Sequence, residues 1–89
     1  MKKIFKYKIP FSLENAVCIL MPQKAEILST GAQKDELFIW ALVDENEGVE
    51  NRYFQVHATG ETINNIERKK FVGTIFSGHY VWHLFEIID

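Results

Sequence analysis

A single cysteine in 89 residues excludes an intrachain disulfide, and a small secreted domain ordinarily needs such staples because its core is thin. The expected setting is therefore reducing and cytoplasmic. Cys18 lies between Val17 and Ile19, where the expectation is a buried, inert thiol with no base beside it. An excess of basic charge is also missing: ten Lys and Arg against twelve Asp and Glu leave a formal charge of −2. General nucleic-acid binding needs a basic face that neutralises several phosphates, so it is not expected. No apolar run is long enough for a membrane span, and the lysines of residues 1–10 interrupt the apolar core that a signal peptide requires. A soluble, unprocessed chain is the reading. Glycines number five, and Gly31, Gly60, Gly73 and Gly78 do not cluster ahead of a helix, which excludes the phosphate loops of both nucleotide fingerprints. No Gly-x-Ser-x-Gly elbow surrounds Ser12, Ser29 or Ser77. The sequence carries no signature of nucleophilic hydrolysis and implies no cofactor.

What is present is apolar surface in short alternating blocks. With 47% hydrophobic and 13% aromatic residues the chain is too apolar for disorder, and its length suits one β domain, residues 1–89, with a modest core. Residues 4–9 alternate, with Phe5, Tyr7 and Ile9 opposite Lys6 and Lys8, the period of a half-buried strand that Pro10 ends. Residues 11–16 read as irregular, with Ser12 in the place of a cap. Residues 17–21 are a short apolar run closed by Pro22, which predicts a buried strand. Residues 25–33 and 36–43 form a hairpin around Lys34-Asp35, a dipeptide that lacks Asn-Gly chemistry, so a loop longer than two residues is expected. Every position of 37–43 is apolar, which predicts cover on both faces or an oligomer contact on one. Residues 44–51 hold four acids and read as a surface loop without the spacing of a calcium loop.

Residues 52–59 alternate again, residues 61–70 allow one short helical turn, and residues 71–89 read as two strands joined by a tight turn at Ser77-Gly78. Gly73 is read as a β-bulge or a close approach of another backbone or ring. Six or seven short strands result. The predicted class is mainly β, a compact antiparallel sandwich or barrel with at most one or two helical turns.

Two of the three histidines, His79 and His83, are placed on the last strand. Four strand residues span about 13 Å, far more than two ligands of one metal at about 2 Å each, so no metal site is assigned. A hydrolase or isomerase using either imidazole as general base is the enzymatic alternative. The one region where cations, aromatics and histidines can gather combines Arg52, Tyr53, His57, Lys69, Lys70, Tyr80 and Trp82. These are the candidate binding contacts: cations for phosphate or acidic groups, aromatic rings for stacking.

Six stretches, Ile4-Phe5-Lys6-Tyr7, residues 21–28, Trp40-Ala41-Leu42-Val43-Asp44, Ala58-Thr59-Gly60, Phe71-Val72-Gly73-Thr74 and His83-Leu84-Phe85-Glu86, together resemble a family of small uncharacterised proteins of tailed bacteriophages and prophages. The resemblance implies a non-enzymatic accessory protein made in the bacterial host cytoplasm and acting on a host component. Counter-defence is the implied niche, in two forms: an oligomeric decoy that sequesters a nucleotide-like immune signal, or a blocker of a host protein such as a CRISPR effector. A virion structural or assembly role is the further alternative. A homo-oligomer without membrane contact is expected.

Overall fold

Alternation of apolar and polar side chains builds each strand. The computed structural model describes residues 1–88 and contains β1 (Lys2–Ile9), β2 (Val17–Pro22), β3 (Glu26–Gln33), β4 (Glu36–Asp44), β5 (Val49–Ala58), β6 (Lys69–Ser77) and β7 (Tyr80–Ile87). Two antiparallel sheets result, one ordered β1-β4-β3 and the other β2-β5-β7-β6. A 3-10 turn at Ile66–Arg68 is the helical element among the described residues. The mainly β class is therefore correct, and of the two expected forms the sandwich is the one adopted. No helix among the described residues is long and apolar enough to cross a membrane.

The core lies between the sheets. Leu37, Ile39, Ala41 and Val43 of β4 point inward and meet Phe54 and Val56 of β5, Ile75 of β6 and Leu84 of β7. Burying a large apolar side chain of this kind contributes about 1.5–3 kcal/mol, so this layer dominates folding. The intervening residues of β4, Phe38, Trp40 and Leu42, face outward and are half-buried. Ile4, on the outer side of β1 opposite Leu42, is 61% exposed.

Four local expectations are corrected. The β3–β4 turn has only two central residues, Lys34 and Asp35, with φ of 51° and 65°, the positive pair of a type I′ turn. The strand twist sets this turn, and aspartate tolerates the left-handed region that Lys34 is made to share. Cys18 is exposed rather than buried, because β2 alternates at the sheet edge and turns Ile19 and Met21 to the core instead. The acidic connection shortens to residues 45–48, since Val49, Glu50 and Asn51 pair with Pro22, Met21 and Leu20. In the last hairpin the central residues are Gly78 and His79, with Gly78 at φ 59°, so His79 belongs to the turn and not to β7.

The bulge reading of Gly73 holds, and the group that approaches it closely is a side-chain methyl rather than a backbone or a ring. The β6–β7 register slips between Phe71 and Gly73, which leaves Val72 as the extra residue of a bulge. A Cβ on Gly73 would lie 2.7 Å from Thr30 Cγ2 on the facing strand β3. Thr30 cannot turn that methyl away freely, because its hydroxyl donates to the Phe38 carbonyl at 2.8 Å. Gly73→Ala is expected to cost about 1–3 kcal/mol, and Gly73→Ala with Thr30→Ser, which keeps the hydroxyl and removes the methyl, is expected to recover most of it. Urea unfolding of the two single variants and the double variant measures this coupling.

Candidate functional site

The two hairpin turns and the segment leaving β1 surround an opening between the sheets at one end of the sandwich. Ile9, Leu37 and Trp82 line its interior, Phe11, Tyr80 and the turns its mouth, and its volume is about 940 Å³. Trp82 is fixed from behind: it pairs with Ile75 in the ladder and packs on the core. Tyr80 stacks on Trp82 with centroids 5.4 Å apart and planes 9° from parallel, and Phe11 meets Trp82 edge-on at 5.1 Å. Tyr80 is the outermost of the three, 62% exposed. Its free ring face is available to a ligand.

Among the charged residues that line the cleft, Lys8, Asp35 and Glu36, one is unpaired. Lys8 and Glu36 form an ion pair, whereas the carboxylate of Asp35 has no ion-pair or hydrogen-bond partner among the described residues. His79 also stands at the rim.

The other two histidines meet on the outer face of the four-stranded sheet, because β5 neighbours β7 and His57 pairs with His83. His57 is 3% exposed, enclosed by the edge of Phe85 and by Glu61 and Lys69. A carboxylate only accepts, so the His57 Nδ1–H donates to Glu61, and Nε2 is left to accept from the Lys69 ammonium at 3.5 Å. Glu61 also accepts from the Ala58 N–H at 3.2 Å. The hydrogen bond from His57, supported by that N–H and by the charge of Lys69, holds the Glu61 carboxyl below its ordinary value.

His83 lies between two hydroxyls, Thr59 Oγ1 at 2.7 Å from Nε2 and Thr74 Oγ1 at 3.0 Å from Nδ1. A neutral imidazole satisfies both by donating to one and accepting from the other. A threonine on an imidazole is the first link of a nucleophile–base pair. The second link differs, since Thr74 offers a hydroxyl where a carboxylate would stabilise the imidazolium formed during base catalysis.

Arg52 and Lys70 occupy a third place, a smaller cleft of about 520 Å³ towards the opposite end of β7. Arg52 is committed there: Nε and Nη2 donate to Glu86 at 2.6 and 2.7 Å, and Nη1 donates to the Ala25 carbonyl at 2.5 Å. Lys70 pairs with Glu86 in the ladder. Of the seven candidate residues, Tyr80 and Trp82 thus share one cleft, Arg52 and Lys70 another, and His57 and Lys69 the outer sheet face, where Tyr53 is exposed beside them on β5. Phe11, Asp35 and Glu36 were not among the candidates, and neither were Thr59, Glu61 and Thr74. Only strand order and turn geometry bring them to these sites. Glu61, four residues after His57, is the one with a visible signal.

A protein-family model, described as a domain of unknown function, DUF7352, matches residues 1–89. The chain belongs to the DUF7352 family. No curated protein and no solved structure matches it. For this DUF7352 chain the Glu61–His57 contact gives a pH-dependent expectation. A carboxyl held low in the folded state stabilises above its unfolded value, about 4.3, and the contribution disappears as pH falls through the lower folded value. Glu61→Gln is expected to lower stability at pH 7 by about 0.5 kcal/mol, a small effect because the exposed carboxylate is screened by solvent, with the difference from wild type narrowing below about pH 4. Denaturant unfolding at pH 7 and pH 3 checks the sign.

Proposed function

We propose that this chain is a non-enzymatic accessory protein of a tailed bacteriophage, made in the host cytoplasm, that binds a host component through the cleft of Tyr80 and Trp82. The resemblance carried by residues 4–7, 21–28, 40–44, 58–60, 71–74 and 83–86 supports the phage setting. The observation that carries the binding role is the stacked pair at the mouth of a cleft of about 940 Å³. Ligand sites are typically concave, apolar and aromatic, on the order of 300–1,000 Å³, and rigid aromatic side chains are the usual anchors of protein interfaces. The histidines favour binding over chemistry, since both ring nitrogens of His57 and of His83 already have partners within the fold.

Counter-defence by occupation of a host immune protein is the role proposed for that cleft. Self-association is proposed through the outer face of the three-stranded sheet, where Ile4, Phe38, Trp40 and Leu42 form an apolar stripe beside Lys6, whose ammonium lies 4.5 Å from the Phe38 ring centroid. The test is a phage-infection assay in immune bacteria. Tyr80→Ala is expected to abolish the protection given to the phage while circular dichroism shows an intact fold, and Lys69→Ala with Lys70→Ala is expected to retain it. Full protection by a folded Tyr80→Ala variant would overturn the cleft reading, and a light-scattering mass of one chain would overturn self-association.

A further inference from the structure

The two clefts differ in charge, and the difference selects the ligand. At the aromatic cleft Lys8 is neutralised by Glu36, which leaves the carboxylate of Asp35 as the unpaired charge on the same lining as the exposed ring of Tyr80. Near the other end of β7, Arg52 is already spent on Glu86 and Ala25, and Lys70 stands opposite Glu86. A base stacked on Tyr80 would therefore turn its phosphate towards acidic groups. The cations of the second cleft are no remedy, because Trp82 and Glu86 are four strand residues apart, about 13 Å.

We propose that the aromatic cleft is a docking site for an arginine side chain of a partner polypeptide, stacked on Tyr80 with Asp35 as its counter-ion. The proposal rests on the cleft reading above and adds the chemistry of its ligand. A guanidinium is flat and weakly hydrated, so it stacks on an aromatic face while its edge N–H groups donate to a carboxylate; an ammonium is compact and strongly hydrated and does the first poorly. Trp82 behind Tyr80 and Phe11 against Trp82 hold the stacking surface in place. Asp35 is presented from a left-handed position at φ 65°, in a two-residue turn whose direction is set by the paired strands.

The site can be probed without unfolding the chain. Asparagine suits the left-handed region at least as well as aspartate, so Asp35→Asn removes the charge and keeps the turn. Two-dimensional NMR of the full chain follows the backbone amides of Asp35 and Tyr80 and the indole N–H of Trp82, with that of Trp40 on the outer sheet face as internal control. The probes are a blocked Gly-Arg-Gly peptide, its Gly-Lys-Gly counterpart and adenosine monophosphate. The arginine peptide is expected to shift Tyr80, Trp82 and Asp35 but not Trp40, with the lysine peptide about threefold or more weaker. Asp35→Asn is expected to weaken the arginine peptide by about threefold to tenfold, and Tyr80→Leu to abolish the shifts. Adenosine monophosphate shifting these signals while the arginine peptide does not would overturn the arginine assignment and leave the cleft reading intact. Equal affinity of wild type and Asp35→Asn for the arginine peptide would overturn the role of Asp35 and with it the assignment. No shift by any probe would also overturn it, and the fate of the cleft reading is then decided independently by the Tyr80→Ala infection assay.

Discussion

The contact between Gly73 and Thr30 governs more of this fold than any other pair. A threonine methyl held by its own hydroxyl bond to Phe38 crowds any side chain placed at position 73 of the facing strand, so glycine lets β6 approach β3 there without displacing it. The bulge at the same place changes which residues face inward. Before it, Lys69 and Phe71 lie opposite Ile87 and Phe85; after it, Gly73, Ile75 and Ser77 lie opposite Leu84, Trp82 and Tyr80. Continued alternation from Lys70 would have turned Thr74 and Phe76 to the core and Ile75 out, because a one-residue slip exchanges the faces of a strand. With the bulge, Ile75 is buried, Phe76 is 74% exposed, and Thr74 reaches His83 on the outer face.

The histidine network and the aromatic cleft both follow from that shift. On the outer face it completes the Thr59–His83–Thr74 chain beside the buried His57, whose ring is wedged between a carboxylate and an ammonium. Such a network is internally satisfied, and a satisfied network stiffens a sheet without inviting a ligand. On the inner face it sets Ser77 opposite Tyr80, so that the hairpin closes at Gly78-His79 and the ring of Tyr80 projects past the end of the core. The opposing turn holds Lys34 in the left-handed region, a strain on the order of 1 kcal/mol that the paired strands impose. The cleft is thus the place where the inner faces run out before the strands do.

Much of this was legible in the sequence, for reasons that differ by element. Period-2 alternation placed β1 and β5 within a few residues, and the unbroken apolar run of 37–43 called for cover or contact on its second face, which the outward Phe38, Trp40 and Leu42 still present. Gly73 was readable because a glycine inside a β-branched and aromatic run has few other uses. Cys18 was misread because an edge strand exposes alternate residues of an apolar run as readily as a central strand buries them all. The Lys34-Asp35 turn was misread because strand twist overrides the preference of the dipeptide. The candidate site was only partly legible: Tyr80 and Trp82 stood out as aromatics, but the association of cations with them assumed that residues near in sequence and similar in chemistry would meet. Strand order decides that, and no local pattern encodes it.

The proposed contact with a partner lies at the end of the sandwich and not on the outer face of the four-stranded sheet. Hydrogen–deuterium exchange on the chain alone and in the complex purified from phage-infected cells through a tag on this chain tests it most directly. Protection on complex formation at residues 34–37 and 78–82 is the predicted result. Protection confined to the outer face of the four-stranded sheet, at residues 53–57 and 69–71, with the two turns exchanging as they do in the free chain, would contradict it.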